Sequence, residues 1–566
     1  VDGGADRTDG TRGRRFRAGV IVDNDVAIPM RDGVVLTADV YRPDTERAVP
    51  AVLARTCYDR SFSLTPPAAL DPAIAVEAGL ALVCQDVRGQ FGSEGEFYPL
   101  VDEGQDGHDT VEWLAEQPWC SGAVVMAGRS YAGATQWLAA AERPPHLVAI
   151  SPAVTGSNYY DGWIYQGGAF QLGFNLFWAQ LMTAPRMRSS LGEHFRHLPI
   201  SEPPMLDLDG AARFYRDWLA HPTEDEYWHA LGIDRRYYRI EVPAFLIGGW
   251  YDVFLSGTLE NYRSMRSEGG SERARSETRL VIGPWAHGST YGPYPDHSFE
   301  AFEGKDAMDL AQAQIAFFRR AIEGGRDAGL PVRLFVMGEN RWREEEDWPL
   351  ERAQLERWYL RASAGLSTTV PGQEEPDSYL YDPGSPAPTV GGPTSLPAAF
   401  MRTNSGPLDQ RRVEERDDVL VYSSEPLRAP LEVTGPLMVV LYAATSAPDT
   451  DFVAKLCDVA PDGYSRILAE GILRARYREG YERAVRLEPE RVYRYEIDLA
   501  ATSNLFLEGH RIRVAITSSS FPRFDRNANT GRPLGADRAE DLVTARQLVF
   551  HDPERASHVV LPVVPR

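Results

Sequence analysis

Between residues 20 and 337, short apolar runs alternate with helix-periodic stretches, and that rhythm restricts what the chain can fold into more than any other feature. Residues 22–28 and 34–41, divided by a Met-Arg-Asp-Gly turn, read as strands, as do 49–54, 80–85, 123–127, 243–248, 279–283 and 332–337. Residues 68–78, 104–116, 134–141 and 307–321 carry helical spacing, with Val111, Leu114 and Ala115 marking one apolar face. Strands separated by helices in this way pair largely in parallel and are covered on both faces, which predicts an α/β fold with a mostly parallel sheet.

One such sheet does not account for 566 residues, because a domain averages roughly 150. From 151 to 240 the rhythm stops, and Tyr, Trp, Phe, Met and His crowd a stretch without a strand of ordinary length; this reads as a helical insertion. Beyond 350 a Pro/Gly-rich stretch leads into apolar alternations at 419–422, 437–443, 452–458, 493–498, 512–517 and 559–564, the pattern of a β-sandwich or jelly roll. The expected organisation is a discontinuous α/β core from 1–150 and 241–350, a helical insertion from 151–240, and a β domain from 351–566.

Composition removes other classes of function. With 43% hydrophobic and 25% charged residues the chain is ordinary globular material, and a net charge of −22 repels nucleic-acid phosphates and anionic lipid. Lys305 and Lys455 are the only lysines among 59 basic residues, a bias of GC-rich coding that bears on source and not on chemistry. Cys57, Cys84, Cys120 and Cys457 are too scattered for a zinc or redox motif and read as buried thiols. No run approaches a membrane span, and the first eighteen residues lack the apolar core of a signal peptide, so a cytoplasmic location without membrane contact is expected. Neither a metal nor an organic cofactor is expected; the His-carboxylate group at 106–109 reads as a solvated helix turn. The edges of a β-sandwich make a homodimer reasonable.

The chemistry gathers at Gly128-Arg129-Ser130-Tyr131-Ala132-Gly133, between a predicted strand and a predicted helix. A turn this sharp presents its central serine at a helix N-terminus, whose first amides can face an oxyanion: a nucleophile elbow, with the second glycine one residue later than in G-x-S-x-G. A serine needs a histidine to take its proton, and the histidine needs an acid. In α/β-hydrolases these follow in the order Ser, acid, His, each near the C-terminal end of a strand. Asp252 after 243–248 and His287 after 279–283 meet that requirement, with His297 the nearest competitor. The loop after 49–54 has no glycine run to complete an oxyanion hole, so the Tyr58 hydroxyl is expected to act beside the Tyr131 amide.

Tyr58-Asp59-Arg60, Asp86-Val87-Arg88-Gly89 with Gly92-Ser93-Glu94-Gly95, the elbow, Gly249-Trp250-Tyr251-Asp252 and Gly283-Pro284-Trp285-Ala286-His287 together resemble the X-Pro dipeptidyl-peptidase-like hydrolases, and within them the bacterial cocaine-esterase branch. Asp449-Thr450-Asp451-Phe452, Ala501-Thr502-Ser503-Asn504 and the segment from Phe521 to Asn527 extend the resemblance into the β domain. It implies an α/β-hydrolase with helical cap and jelly roll, the site lying where the three meet. It also implies Ser130 as nucleophile, His287 as base, Asp252 as its partner, and Tyr58 with the Tyr131 amide as oxyanion hole. Trp163, Trp178 and Phe254, with Phe400 as a weaker candidate, would line the acyl pocket. Family members acting on α-amino acid esters carry acids two and three residues beyond the catalytic aspartate; Phe254 and Leu255 stand there instead. The expected substrate is therefore a small-molecule ester with an aryl or bulky acyl group. An amide substrate (amidase, X-Pro-type peptidase or β-lactam acylase), an acyltransferase, and a carbohydrate-binding protein using the jelly roll are the alternatives.

Overall fold

The computed structural model describes residues 14–16, 19–61, 70–183, 191–287, 294, 297–299, 309–325, 329–395 and 405–565. The first sheet contains β1 (Arg14–Phe16), β2 (Val20–Pro29), β3 (Val35–Pro43), β4 (Val49–Thr56), β5 (Ala81–Asp86), β6 (Cys120–Arg129) and β7 (Leu147–Ala153). After a small hairpin, β8 (Tyr165–Gln166) and β9 (Ala169–Phe170), it continues with β10 (Phe245–Tyr251), β11 (Arg279–Ala286), β12 (Val332–Val336) and β13 (Arg341–Glu345). Its spatial order is β1-β2-β3-β5-β4-β6-β7-β10-β11-β12-β13, parallel from β5 to β12 and antiparallel at both ends.

Alternation along the central strands sorts side chains into two cores, the expectation for a sheet buried on both faces. Val52, Leu82, Val125, Ile247 and Val281 face one way. They pack with Ala75 of α1 (Pro72–Glu77) and with Ile315 and Phe318 of α10 (Leu310–Glu323). Leu53, Val83, Met126 and Ile282 face the other core, with Val111 and Leu114 of α2 (Glu103–Ala115) and Trp137 of α3 (Tyr131–Ala141). Helix α1 starts later than its periodicity suggests because Asp71 caps the amide of Ala73 and Pro72 occupies the first turn. Helix α10 starts at Asp309, whose carboxylate accepts from the Gln312 amide at 3.0 Å.

Two elements beside the candidate site are among those that depart from the sequence reading. Strand β7 occupies residues assigned partly to the insertion; its run is short and contains Pro152, yet it pairs with β6 in parallel and supplies the carbonyl that anchors Ser130. Immediately beyond Asp252 lies a further helix, α8 (Leu255–Glu268), half polar and without a long apolar stripe. Among the described residues between β7 and β10 the chain forms the β8–β9 hairpin and four α-helices, α4 (Leu172–Thr183), α5 (Leu191–Phe195), α6 (Arg213–Ala220) and α7 (Glu226–Leu231), with α9 (Glu272–Glu277) following α8.

The C-terminal part is a separate β structure. It comprises β14 (Gln354–Arg361), β15 (Gly365–Ser367), β16 (Asp377–Tyr381), β17 (Leu420–Ser423), β18 (Leu431–Thr445), β19 (Asp451–Val459), β20 (Ser465–Arg474), β21 (Tyr493–Phe506), β22 (Arg511–Thr517), β23 (Ala545–Phe550) and β24 (His558–Val564). Pairing is antiparallel apart from β15 with β17. Strand β20 is buried along its whole length despite Arg466, Glu470 and Arg474, because each charge has an internal partner.

The C-terminal sheet grips the first half through the β8–β9 hairpin. At its tip, a Cβ on Gly167 would lie 1.9 Å from the Ile472 carbonyl oxygen and one on Gly168 would lie 2.2 Å from the Tyr477 ring, so only glycine fits at these positive-φ positions. Arg474 donates its amide to the Gly167 carbonyl at 2.8 Å. Its guanidinium bridges Asp451 and Asp525 at 2.9 Å, and Asp525 exchanges backbone and carboxylate bonds with Phe170 at 3.0 Å. Asn527 donates to Asp449 and Asp451 at 2.8 Å. The motifs at 449–452 and 521–527 thus meet in one buried polar network at the junction.

Candidate active site

Ser130 sits between β6 and α3 with φ of 56° and ψ of −123°, a strained conformation for a residue with a side chain. Its amide donates to the Ala153 carbonyl at 2.9 Å, and its own carbonyl accepts from Gly133 and Ala134 as α3 begins. The shift of the second glycine has a steric explanation. A Cβ on Gly128 would lie 2.7 Å from that of Ala132, so the bare Gly128 makes room for Ala132. Gly133 in turn packs against Thr155, 2.7 Å from where its Cβ would be.

His287 Nε2 lies 2.9 Å from Ser130 Oγ, and His287 Nδ1 lies 3.3 and 3.4 Å from the two carboxylate oxygens of Asp252. All three side chains are buried, and Asp252 Oδ1 also accepts the Phe254 amide at 2.6 Å. Two neighbouring strands are shaped to deliver the acid and the base. Gly249 and Gly283 stand opposite each other in the β10–β11 register, and both are bare because of Trp285. A Cβ on Gly249 would lie 2.3 Å from the Trp285 carbonyl oxygen, and one on Gly283 would lie 2.3 Å from its ring. The register then shifts between Gly249 and Tyr251, a bulge that re-aims the strand ends. His297, the competing histidine, packs edge-on against Phe299 with ring centres 4.3 Å apart, and burial pushes its pKa down to about 4.

Tyr58 is half-buried after β4 in a loop pinned by its neighbour Arg60. The Arg60 guanidinium pairs with Asp86 at 2.5 Å and with Asp39 at 3.1 Å, while Asp86 also accepts the amides of Arg60 and Gly92. This explains the grouping of Tyr58-Asp59-Arg60 with the Asp86 motif. Trp178 Nε1 donates to Tyr58 Oη at 3.0 Å, so the phenol accepts there and keeps its own hydrogen as a donor, with the neighbouring Cys57 thiol as its partner within the protein. Burial raises the Tyr58 pKa, so the group stays a neutral donor. The Tyr131 amide is first in α3 and has no partner within the helix. The side chain of Tyr131 is clamped: its hydroxyl donates to Glu103 at 2.8 Å and accepts the Leu100 amide at 3.0 Å, and Glu103 pairs with the buried Arg55 at 3.0 Å.

Aromatic rings enclose the histidine. Phe254 meets His287 edge to face at 5.0 Å between ring centres, Trp163 lies on Phe254 at 4.2 Å, and Phe174 meets Phe254 at 5.5 Å and His287 at 6.4 Å. Phe174 was not expected from sequence; it lies one helical turn before Trp178 on α4, so the i, i+4 relation would have pointed to it. Trp178 stands apart from this group, stacked on Tyr131 at 5.9 Å and bonded to Tyr58. Phe400 lies outside the described residues. The His108–Asp109 region pairs with Arg31, and among the described residues no group of three His, Cys, Asp or Glu side chains is placed to hold a metal. All four cysteines are buried and free, and among the described residues no helix is long and apolar enough to cross a membrane.

Residues 32–289 match the X-Pro dipeptidyl-peptidase (S15 family), and residues 327–560 match the X-Pro dipeptidyl-peptidase C-terminal non-catalytic domain. The chain is 39% identical over 583 residues to cocaine esterase of Rhodococcus sp. (strain MB1 Bresler), covering 96% of this chain and 99% of that one. Among solved structures, an aminopeptidase from a marine sediment archaeon (Thaumarchaeota archaeon) superposes with a TM-score of 0.86 at 27% identity over 99% of both chains. An α-amino acid ester hydrolase does so with a TM-score of 0.84 at 29% identity, over 99% of this chain and 100% of that one. The chain belongs to the X-Pro dipeptidyl-peptidase (S15) family of hydrolases, and within it stands with cocaine esterase.

Proposed function

We propose that this serine hydrolase cleaves carboxylic esters through an acyl-enzyme on Ser130, with a preference for aryl or bulky acyl groups. The observation that carries the proposal is the continuous contact from Ser130 Oγ through His287 to Asp252 at the base of an aromatic enclosure. His287 Nε2 accepts the serine proton as Oγ attacks the ester carbonyl, and Asp252 holds the ring so that Nδ1 carries its hydrogen towards the carboxylate. Charge then develops on the carbonyl oxygen, to which the Tyr58 hydroxyl and the Tyr131 amide donate. Collapse expels the alcohol with the proton from His287. Water, activated by the same imidazole, releases the acid in a second passage through the same charge distribution.

Trp163, Phe174 and Phe254 would receive the acyl group, and the uncharged residues at 254 and 255 favour an acyl group without an α-ammonium. In this reading helices α4 to α7 form a cap over the site, and the C-terminal β structure is a jelly roll that buttresses the cap. Reaction with a fluorophosphonate, followed by intact-mass measurement and peptide mapping, should add one phosphonyl group at Ser130. Ser130→Ala should lose both labelling and turnover while keeping its melting temperature. Undiminished turnover of 4-nitrophenyl benzoate by Ser130→Ala would refute the mechanism.

A further inference from the structure

Arg129 directly precedes Ser130 at the end of β6 and is half-buried. The other arginines around the site are matched: Arg55 with Glu103, Arg60 with Asp86 and Asp39, and Arg88 with Asp106 and Asp32. The Arg129 side chain makes no hydrogen bond and no ion pair among the described residues, while its backbone is paired with β7. In a chain with 81 acidic against 59 basic residues, an arginine beside the nucleophile whose side chain forms no ion pair among the described residues is a marked departure. The charged or polar groups that feel it are Asp252 and Tyr58, both already engaged, one by His287 and Phe254 and the other by Trp178. Burial pulls the guanidinium below its ordinary value, and the pull of Asp252 does not fully offset it. A partly desolvated guanidinium offering a donor fork is suited to a planar anion.

We propose that Arg129 selects substrates bearing a carboxylate on the acyl portion, that is, monoesters of dicarboxylic acids. The acyl side is favoured because Arg129 directly precedes Ser130 and feels the charge of Asp252, which holds the Phe254 amide, and the Phe254 ring borders the aromatic enclosure. The substrate carboxylate would supply the partner that the protein withholds, while the scissile carbonyl stays at Ser130. Nothing in the covalent steps changes; Arg129 orients the ester and does not exchange protons. The proposal rests on the esterase reading above.

The test compares mono-4-nitrophenyl adipate with chain-matched 4-nitrophenyl hexanoate, in wild type, Arg129→Met and Arg129→Lys, with melting temperatures as the check on folding. In wild type the ratio of kcat/KM, adipate over hexanoate, should exceed one. In Arg129→Met it should fall by roughly 10- to 100-fold, the range expected for losing a charge-assisted contact. Arg129→Lys should retain an intermediate ratio, because the charge remains and the fork is lost. A ratio unchanged in Arg129→Met, or a fall of both substrates by one common factor, would overturn the proposal, the second result assigning Arg129 to the electrostatics of Asp252 and His287. Loss of both turnover and phosphonate labelling in wild type would instead bring down the esterase reading, and this inference with it.

Discussion

The bond from Trp178 to Tyr58 makes a prediction that a double-mutant cycle can resolve. Trp178→Phe removes the indole N–H that donates to Tyr58 Oη at 3.0 Å and keeps an aromatic ring against Tyr131. If the only role of that N–H is to fix the phenol so that its hydrogen faces the oxyanion, its loss should cost about one neutral hydrogen bond, about 1 kcal/mol, or roughly fivefold in kcat. Tyr58→Phe removes the donor itself and should cost roughly 10²- to 10³-fold. In the Tyr58→Phe background the tryptophan has nothing left to orient, so adding Trp178→Phe should change kcat hardly at all. The coupling would then be about 1 kcal/mol, beyond the ~0.3–0.5 kcal/mol by which independent sites fail to add. Steady-state kcat on 4-nitrophenyl benzoate, with melting curves for all four proteins, provides the measurement. An equal fivefold loss in both backgrounds would show that Trp178 acts on the substrate and not on Tyr58, and the reasoning would fail.

Other perturbations have equally definite outcomes. Asp252→Asn should leave the fold intact and lower kcat about 10⁴-fold, because an amide can present its N–H to His287 Nδ1 and favour the wrong tautomer; a loss below tenfold in a stopped-flow ester assay would count against the assigned role. Gly249→Ala should lower both melting temperature and activity, since its Cβ would lie 2.3 Å from the Trp285 carbonyl oxygen, whereas Gly372→Ala, with open space around it, should do neither. Burial pushes the Asp161 pKa up to about 7, so the folded state binds a proton there that the unfolded chain has already released, and stability is lost as pH rises from about 4 towards 7. Asp161→Asn should therefore stabilise the protein at pH 8 by about 1 kcal/mol, a figure reduced for partial exposure, and have little effect at pH 4; urea titrations giving equal effects at both pH values would contradict this.

What sequence could reveal here follows from how local each feature is. The elbow was legible because strand, bare glycines and helix are contiguous, and the order of Ser130, Asp252 and His287 follows from strand succession alone. Strand β7 was not, because its apolar run is brief and holds a proline, and its identity comes from pairing with β6 and β10. Strand β20 was hidden for a different reason: Arg466, Glu470 and Arg474 look like surface until Asp458, Lys455 and Asp451 arrive from a neighbouring strand to neutralise them. Trp178 was expected to touch substrate as an aromatic side chain, but its N–H finds Tyr58, 120 positions earlier, a partnership that no periodicity encodes. Glu103 and Arg55 were missed likewise, since their value lies in holding the Tyr131 ring.

The β8–β9 hairpin ties the C-terminal sheet to the aromatic rings around His287. Asp525 fixes the Phe170 amide, Gln171 next to it donates its side chain to the Trp163 carbonyl at 2.8 Å, and Trp163 lies against Phe254 beside His287. A part whose relatives are called non-catalytic is thus two bonds and one ring away from the proposed acyl pocket. On the proposed function, changes at Ile472, Tyr477 or Asp525 would move the walls of that pocket without touching them.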